Sequence, residues 1–385
     1  MKISIKILFI LSILLLLLIA LPIPQKERTY DIQDDVVIVK TPPLEQRILN
    51  SMTLEEKIGQ LIIFGFNGTS LNENTKELLE KKHIGGVLLL DKNIRDSKQL
   101  TKLNKQLQEN SKIPLLISID QEGGTVSRLR WNKVLTISPK NMKNEKDIYD
   151  ISVKRSSLLK SYGINVNLAP VVEYITNTKS FLYPRVFSGT KQDVAKKASF
   201  AIKGYADSGI ISVAKHYPGH SNSSVDSHFN LPSVSITKEE FVDYIYPFQY
   251  LIERDLVDVI MVGHILFPKI DQKPSTVSKI IINDTLRENL GYTGVIITDD
   301  MQMGAIEKSG GLCSMAIEAL NAGNDMLMYS LYTPRPNLQT EVYNCVINAV
   351  KTGVIKEESV DEKILRILQL KINYEIIDES IQLPQ

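Results

Sequence analysis

The chain has 385 residues, of which 43% are hydrophobic and 23% charged, and 45 lysines and arginines stand against 44 aspartates and glutamates. This composition fits a globular protein with one large α/β domain or two ordinary domains. A net charge of +1 provides no overall field that would attract nucleic acid, so nucleic acid is not expected as a partner. Cys313 and Cys345 show neither metal-ligand nor redox spacing. We expect buried thiols there, with one long-range disulfide as the alternative.

The N-terminus carries a targeting signal. Lys2 and Lys6 precede an apolar run, Ile7 to Ile23, whose length of about 17 residues lies between a signal-peptide core and a full membrane span. No small-x-small cleavage site follows the run. We therefore expect residues 1–23 to stay on the protein as a membrane anchor, with removal of a signal and secretion as the alternative. Lysines before the run favour a cytoplasmic N-terminus, which places the remainder on the extracytoplasmic face of the cell membrane.

The composition changes after the apolar run. Residues 24–43 are polar and interrupted by prolines, which indicates a linker, and we expect the folded domain to span residues 44–376 with a tail at 377–385. Thr53 and Glu56 have the spacing of a capping box and predict the start of a helix.

Beyond this helix, short apolar runs alternate with stretches typical of helices. The apolar runs are Leu61–Phe64, Val87–Leu90, Leu115–Ile119, Val166–Leu168, Ile211–Ala214, Val259–Val262, Val295–Ile297 and Met326–Met328. The helical stretches include Asn72–Lys82, Ser97–Glu109, Lys191–Asp207 and Leu312–Ala322. Eight buried parallel strands with intervening helices predict a (β/α)8 barrel, a TIM-type fold. The alternative is a doubly wound open sheet, but no glycine-rich dinucleotide motif follows an early strand.

Charged side chains follow four of the predicted strands. Asp120 follows the third strand, Lys215 and His216 the fifth, His264 the sixth and the Asp299-Asp300 pair the seventh. The carboxyl ends of barrel strands form one face, so these groups are expected to converge in a single pocket. An aspartate after a strand is often only a helix cap, but a cap explains one such residue more easily than all of them.

The stretch from Lys215 to Pro232 has the highest density of ionisable groups. It contains three of the five histidines, and in Asp226-Ser227-His228 a carboxylate is spaced to reach an imidazole. Such a partner fixes the tautomer of the ring and favours its protonated form, which suits proton transfer. We expect His220 to be structural, whereas His264 is equally consistent with lining the pocket and with binding nearby backbone.

Adjacent residues at the end of a strand point in opposite directions, so only one of Asp299 and Asp300 is expected to face the pocket. The other is expected to cap a helix or bind neighbouring backbone. One carboxylate and one proton donor are the minimum for cleaving a glycosidic bond with retention, and the Asp226–His228 pair is a candidate donor.

These motifs resemble glycoside hydrolase family 3, in particular the β-N-acetylglucosaminidases of bacterial cell-wall turnover. The resemblance covers about Leu44 to Ile376 and rests on IDQEGGTVSRL at 119–129, KHYPGHSNSSVDSHFNLP at 215–232 and GVIITDDMQMGA at 294–305, with AGNDMLM at 322–328 as a weaker match.

The resemblance implies roles for individual residues. Asp299 is expected to be the nucleophile, and His228 the acid/base with Asp226 as its partner. The residues expected to hold N-acetylglucosamine are Asp120, Arg128, Arg185, Lys215 and His216. The resemblance implies a retaining exo-β-N-acetylglucosaminidase that acts on peptidoglycan-derived saccharides, needs no cofactor or metal, and works as a monomer. A phosphorylase and a non-catalytic barrel that binds cell wall are the alternatives.

The sequence departs locally from the family pattern. Ser221, Asn222 and Ser223 stand where the PGH triplet is usually followed by Gly-Asp-Thr. Glu173 replaces an aspartate after the fourth strand, and Val186 stands where a serine usually follows Arg185. We expect these changes to affect the resting geometry of the loop between Lys215 and Pro232. Every residue expected to be catalytic is present.

Overall fold

Eight parallel strands close into a barrel in the computed structural model, which describes residues 41–220, 223, 225–333 and 335–381. The strands in chain order are β1 (Ile62–Gly65), β2 (Gly86–Leu89), β3 (Leu116–Ile119), β4 (Gln121–Gly123), β5 (Val126–Ser127), β6 (Val166–Asn167), β7 (Ile211–Tyr217), β8 (Val259–Val262), β9 (Val295–Asp300) and β10 (Met326–Tyr329). Eight of these strands form the barrel in the order β1-β10-β9-β8-β7-β6-β3-β2, and pairing of Ile62 with Leu327 joins β1 to β10. Strands β4 and β5 form a separate two-stranded sheet. Each of the eight apolar runs forms a barrel strand, so the predicted (β/α)8 fold is confirmed.

The helices follow the strands as predicted. Their bounds are α1 (Leu44–Ser51), α2 (Leu54–Gln60), α3 (Glu73–Glu80), α4 (Ser97–Glu109), α5 (Lys133–Thr136), α6 (Glu145–Ser161), α7 (Lys191–Ala206), α8 (Lys238–Tyr244), α9 (Tyr246–Ile252), α10 (Gly304–Glu307), α11 (Leu312–Ala322), α12 (Leu338–Lys351) and α13 (Glu357–Asn373). A π-helix spans Ile280–Asn289, and 3-10 turns span Asp91–Asn93, Pro139–Asn141, Tyr183–Arg185 and Ser275–Val277. Thr53 and Glu56 form both hydrogen bonds of the predicted capping box at the start of α2.

A small antiparallel hairpin after β3 was not predicted. Strands β4 and β5 pair through Gln121 and Ser127. The turn between them needs glycine, because Gly123 and Gly124 have φ angles of 92° and 65°. A Cβ atom on Gly123 would also lie 1.9 Å from the carbonyl oxygen of Ile137. The hairpin thereby fixes the backbone just beyond Asp120 at the carboxyl end of β3.

The barrel interior is apolar, and a buried lysine lies at its amino end. Leu370 of α13 reaches the same interior space as Ile63 and Leu116. The neighbouring Lys371 is fully buried, and its Nζ donates to Gln60 Oε1 at 2.7 Å, to the Pro114 carbonyl at 2.6 Å and to the Gly85 carbonyl at 3.3 Å. These oxygens precede β1, β2 and β3, so Lys371 ties α13 to three strands. Burial lowers the pKa of Lys371 to about 7.

The expectation of two buried thiols is wrong. Cys313 of α11 and Cys345 of α12 form a disulfide, with their Cα atoms 5.4 Å apart. The two helices flank β10 in the chain and pack together. The pairing depends on this packing across a separation of 32 residues, which the spacing of the cysteines does not reveal.

The predicted anchor at 1–23 and nearly all of the predicted linker at 24–43 lie outside the described residues. Regular structure in the described chain starts with α1 at Leu44, where the folded domain was expected to begin. None of the helices within the described ranges combines the length and the hydropathy that a bilayer span requires.

Candidate active site

The charged residues that follow separate strands meet at the carboxyl end of the barrel. Asp120 follows β3, Lys215 and His216 lie near the carboxyl end of β7, and Asp299 lies near the end of β9. Lys215 contacts Asp120 directly, with Nζ 2.7 Å from Oδ1. The peptide bond between Lys215 and His216 is cis. The convergence expected from strand ends is therefore present.

Acids and bases alternate along a row at the base of the site. The row runs Asp91, Arg128, Asp120, Lys215, Glu122, Arg185. Lys215 is central, since its Nζ lies 2.7 Å from both Asp120 Oδ1 and Glu122 Oε1. Arg185 binds Glu122 through two nitrogens, at 2.9 and 2.7 Å. Arg128 joins Asp91 at 2.9 Å and Asp120 at 3.5 Å.

The central members of the row stay charged despite burial. Burial by itself would raise the pKa of Asp120, but the charges of Lys215 and Arg128 hold that pKa below its usual range. Burial likewise opposes ionisation of Lys215, yet the Asp120 and Glu122 carboxylates raise its pKa. The result is a rigid set of donors and acceptors. Sugar hydroxyls, which both donate and accept, can bind such a set.

Glu173 holds the two histidines of the KHYPGH segment. Its Oε1 lies 2.8 Å from His216 Nδ1 and 3.2 Å from His220 Nδ1, and its oxygens also accept the backbone N–H groups of both histidines. Because a carboxylate only accepts hydrogen bonds, each Nδ1 donates a proton to Glu173, and a neutral ring in this arrangement keeps Nε2 as an acceptor. For His216, burial lowers the pKa against the effect of Glu173 and favours this neutral form. The glutamate that departs from the family pattern thus orients both rings.

Within the described part of the chain, Glu173, His216 and His220 form the group whose ligand atoms could surround a metal ion. These atoms are already satisfied by one another through protons, at 2.8 and 3.2 Å. The arrangement needs no ion to explain it. His220 Nε2 additionally lies 3.2 Å from Ser227 Oγ, which links this group to the loop that carries Asp226 and His228.

Asp299 and Asp300 have different surroundings. Asp300 Oδ1 accepts the backbone N–H groups of Gln302 and Ser330, each at 3.0 Å, and its Oδ2 accepts from the Ser330 hydroxyl. Burial raises the pKa of Asp300. Asp299 accepts only the N–H of Asp300, at 2.7 Å, among the described hydrogen bonds. Asp299 is therefore the member of the pair with a carboxylate available to a ligand.

Nearby histidines favour the ionised form of Asp299. Burial opposes ionisation, but His216 and His264 outweigh it and lower the pKa of the carboxyl group. His264 is completely buried, with Nδ1 2.6 Å from Thr276 Oγ1 and Nε2 2.9 Å from the Asp300 carbonyl oxygen. Of the two roles considered for His264, the geometry matches binding to nearby backbone. Its ring supports the end of β9 from which Asp299 projects.

The Asp226–His228 pair lies on the exposed side of the site. Asp226 Oδ1 is 2.7 Å from His228 Nδ1, so the ring donates that proton and leaves Nε2 available. The His228 side chain is 60% exposed. The loop is fixed to α10, because the N–H groups of Gly304 and Ala305 donate to the carbonyls of His228 and Ser227 at 3.0 and 3.2 Å. This contact brings the pair close to the chain that follows Asp299.

Two members of the charged row were not singled out from the sequence. Glu122 is two residues beyond Asp120, and the alternation of an extended chain puts both side chains on one face. Asp91 follows β2, so the rule applied to the other strand ends also identifies it. The departures at Ser221 and Asn222 lie outside the described residues, whereas Val186 is buried beside Val171 and Ile175.

Comparisons with known proteins agree with this geometry. The sequence profile described as "Glycosyl hydrolase family 3 N terminal domain" matches residues 53–370. A β-hexosaminidase from Photobacterium profundum is 33% identical over 265 residues, covering 68% of this chain and 79% of that protein. β-Hexosaminidase A from Pseudoalteromonas piscicida is 31% identical over 333 residues, covering 79% of this chain and 56% of that protein.

Among solved structures, a family 3 β-N-acetylglucosaminidase from Paenibacillus sp. strain FPU-7 superposes with a TM-score of 0.80 at 34% identity. The match covers 87% of this chain and 66% of that enzyme, so the chain spans just under two thirds of its length. With the family profile matched over most of the barrel, the chain belongs to glycoside hydrolase family 3 and is a glycosidase.

Proposed function

We propose that the protein is a retaining exo-β-N-acetylglucosaminidase that removes terminal N-acetylglucosamine from peptidoglycan-derived glycans. The relatives named β-hexosaminidase and β-N-acetylglucosaminidase support N-acetylglucosamine-containing glycans as substrates, and the peptidoglycan origin is an expectation from the resemblance. The observation that carries the proposal is the pairing of His228 with Asp226 at 2.7 Å on a loop bonded to Gly304, five residues after Asp299. This contact holds the proposed proton donor close to the segment that follows the proposed nucleophile.

In the first step, an oxygen of Asp299 attacks the anomeric carbon and the bond from that carbon to the leaving oxygen breaks. His228 donates its Nε2 proton to the leaving oxygen, so the leaving saccharide departs as an alcohol. The negative charge of Asp226 stabilises the protonated ring until this transfer and keeps Nδ1 as the donor to Oδ1. The products are a glycosyl ester on Asp299 and a neutral His228.

In the second step, neutral His228 accepts a proton from water at Nε2 while the water oxygen attacks the anomeric carbon. The ester bond breaks, Asp299 regains its carboxylate and His228 its proton. Two displacements at the same carbon return the β configuration. The lowered pKa of Asp299 suits both steps, because an ionised carboxylate is the nucleophile in the first step and the leaving group in the second.

The charged row is proposed to hold the terminal sugar. Asp120, Lys215 and Arg185 are preorganised by their contacts with one another and with Glu122, so binding does not require them to move. His216 presents Nε2 as an acceptor, since Nδ1 donates to Glu173. The roles of Asp120, Arg128, Arg185, Lys215 and His216 as sugar ligands remain predictions of the resemblance.

The test is release of p-nitrophenol from its N-acetyl-β-glucosaminide, with and without added phosphate. Hydrolysis that is independent of phosphate is expected, and NMR of the first product should show the β anomer. Phosphate-dependent turnover with formation of a sugar phosphate would identify the phosphorylase alternative. No turnover under either condition would leave the non-catalytic wall-binding alternative and overturn the proposal.

We further propose that the barrel lies on the extracytoplasmic face of the cell membrane, anchored by residues 1–23. The disulfide between Cys313 and Cys345 supports an oxidising compartment. The protein should fractionate with membranes, and protease added to intact protoplasts should digest or release the barrel. Isolation of a mature soluble form that lacks the first ~25 residues would overturn the anchor in favour of a secreted protein.

A further inference from the structure

Phe229, the residue after His228, exposes a large apolar side chain beside the candidate active site. Its relative exposure is 67%. Single exposed hydrophobic residues are common on protein surfaces and need no explanation by themselves. Phe229 differs because its main chain is fixed in place. Its N–H donates to the Asp226 carbonyl at 3.1 Å, and its own carbonyl accepts from Lys308 Nζ at 2.9 Å.

The fixed position of Phe229 is reached through the segment that follows Asp299. Gly304 binds the carbonyl of His228, and Lys308 binds the carbonyl of Phe229 and the side chain of Asn230 at 3.2 Å. The loop with Phe229 is therefore attached to α10 and the residue just beyond it. The absence of a side chain on Gly304 permits this contact, since a Cβ atom there would lie 2.7 Å from the Phe229 carbonyl oxygen.

The chemistry of the site assigns the two sides of the scissile bond. In the proposed function the terminal sugar lies at the buried part of the charged row, where Lys215 and Glu122 are almost inaccessible to solvent. The leaving saccharide must then extend towards solvent. The proton donor His228 must come within about 3 Å of the glycosidic oxygen. Neighbouring Cα atoms are about 3.8 Å apart, so the long side chain of Phe229 starts close enough to His228 to reach the first sugar of the leaving saccharide.

We propose that the Phe229 ring forms the binding surface for the leaving saccharide, packing against the apolar C–H face of the first sugar beyond the scissile bond. This inference rests on the proposed function and adds the residue that selects the leaving group. The ring becomes buried only when a saccharide occupies that position. Phe229 therefore favours glycan substrates over glycosides with small leaving groups.

The test compares two substrates whose leaving groups are alkyl alcohols: N,N′-diacetylchitobiose, which has a leaving sugar, and methyl N-acetyl-β-glucosaminide, which has none. The measured quantity is the ratio of kcat/KM for the disaccharide to kcat/KM for the methyl glycoside. Phe229→Ala is expected to lower this ratio about fivefold to tenfold, the effect of losing one aromatic contact. Phe229→Tyr should keep the ratio of the wild type, because the ring is retained.

Trp131→Ala is the matched control. Trp131 is an exposed aromatic residue, at 42%, and it contacts Tyr162, which ends α6 just before β6 at the amino end of the barrel. Its removal should leave the ratio unchanged. An unchanged ratio in Phe229→Ala, or an equal decrease in Phe229→Tyr, would overturn the inference. Failure of the wild type to hydrolyse either substrate would instead overturn the proposed function, and this inference with it.

Discussion

Oδ1 of Asp226 accepts two hydrogen bonds from His228, one from ring Nδ1 at 2.7 Å and one from the backbone N–H at 3.0 Å. A single carboxylate oxygen thus fixes the imidazole against its own main chain. Ring rotation would break the side-chain bond, so Nε2 remains the nitrogen that can exchange a proton with a ligand. The pair has the orientation that proton transfer in both directions requires.

His228→Ala should therefore affect substrates according to their leaving groups. We expect kcat/KM for a natural disaccharide to fall by about 10² to 10⁴, the usual contribution of a general acid, and to fall much less for p-nitrophenyl substrates. Deglycosylation remains slow in both cases, so azide should restore turnover and yield the β-glycosyl azide. Kinetics with both substrates, with and without azide, provide the check. Equal losses for both leaving groups without rescue would contradict the acid/base role.

Asp226→Ala should show the same pattern in a milder form. The imidazole remains on the loop but loses its anionic partner and the hydrogen bond that orients it. A larger loss on the disaccharide than on the p-nitrophenyl substrate is the expected result, with weaker azide rescue than in His228→Ala. The melting temperature should be close to that of the wild type, because Asp226 lies on a surface loop. A lower melting temperature with equal losses on both substrates would indicate a packing role instead.

Replacing the two adjacent aspartates should separate chemistry from stability. Asp299→Asn is expected to lower kcat at least about a thousandfold, because an amide cannot form the ester, while the melting temperature remains within a few degrees. A 2-acetamido-2-deoxy-5-fluoro glycosyl fluoride should label Asp299, and peptide mass mapping would locate the adduct. A label on Asp300, or turnover with no labelled carboxylate, would refute the assignment.

Asp300→Asn is the matched control for this prediction. The Asp300 carboxylate accepts from the N–H groups of Gln302 and Ser330 and from the Ser330 hydroxyl. An amide can satisfy only part of this set, so the variant should melt several degrees below the wild type.

Gly304→Ala should displace the loop that carries Asp226 and His228. The added Cβ atom would lie 2.7 Å from the Phe229 carbonyl oxygen and 3.0 Å from that of His228. Because small displacements of catalytic groups are costly, kcat/KM on the disaccharide should fall about tenfold to a hundredfold. Gly311→Ala is the control, since nothing lies within 4 Å of its added Cβ atom. Similar activities for the two variants would show that the loop does not depend on this contact.

Lys371→Met should change how stability depends on pH. The pKa of Lys371 is about 7 in the folded protein and near 10.5 when unfolded, so the unfolded chain binds the extra proton between these values. In the wild type this group therefore makes stability rise with pH across that window, by at most about 1.4 kcal/mol per pH unit. Below pH 7 its contribution is constant. The difference in melting temperature between wild type and variant, measured from pH 6 to 10, should move in favour of the wild type as pH rises. A constant difference would contradict the lowered pKa.

The barrel could be predicted because the sequence pattern that specifies it is local and repeats along the chain. Each strand is a short apolar run, and the chain order of a (β/α)8 fold then places residues such as Asp120 and Asp299 on one face. The Asp226–His228 pair was also visible, since only Ser227 lies between its members. Contacts between distant segments could not be predicted in this way. The bridge from Glu173 to His216 and His220, the contact between Gly304 and His228, and the disulfide all depend on how finished elements pack.

The alternating row from Asp91 to Arg185 has a further consequence for ligand capture. Its three carboxylates and three cations sum to zero, so its field decays within a short distance of the surface. A neutral sugar is then recognised through short hydrogen bonds, and no long-range electrostatic attraction steers it to the site. Dissolved ions have little to screen in such an encounter. Both the association rate and the affinity for an uncharged saccharide should be nearly the same in dilute buffer and in concentrated salt.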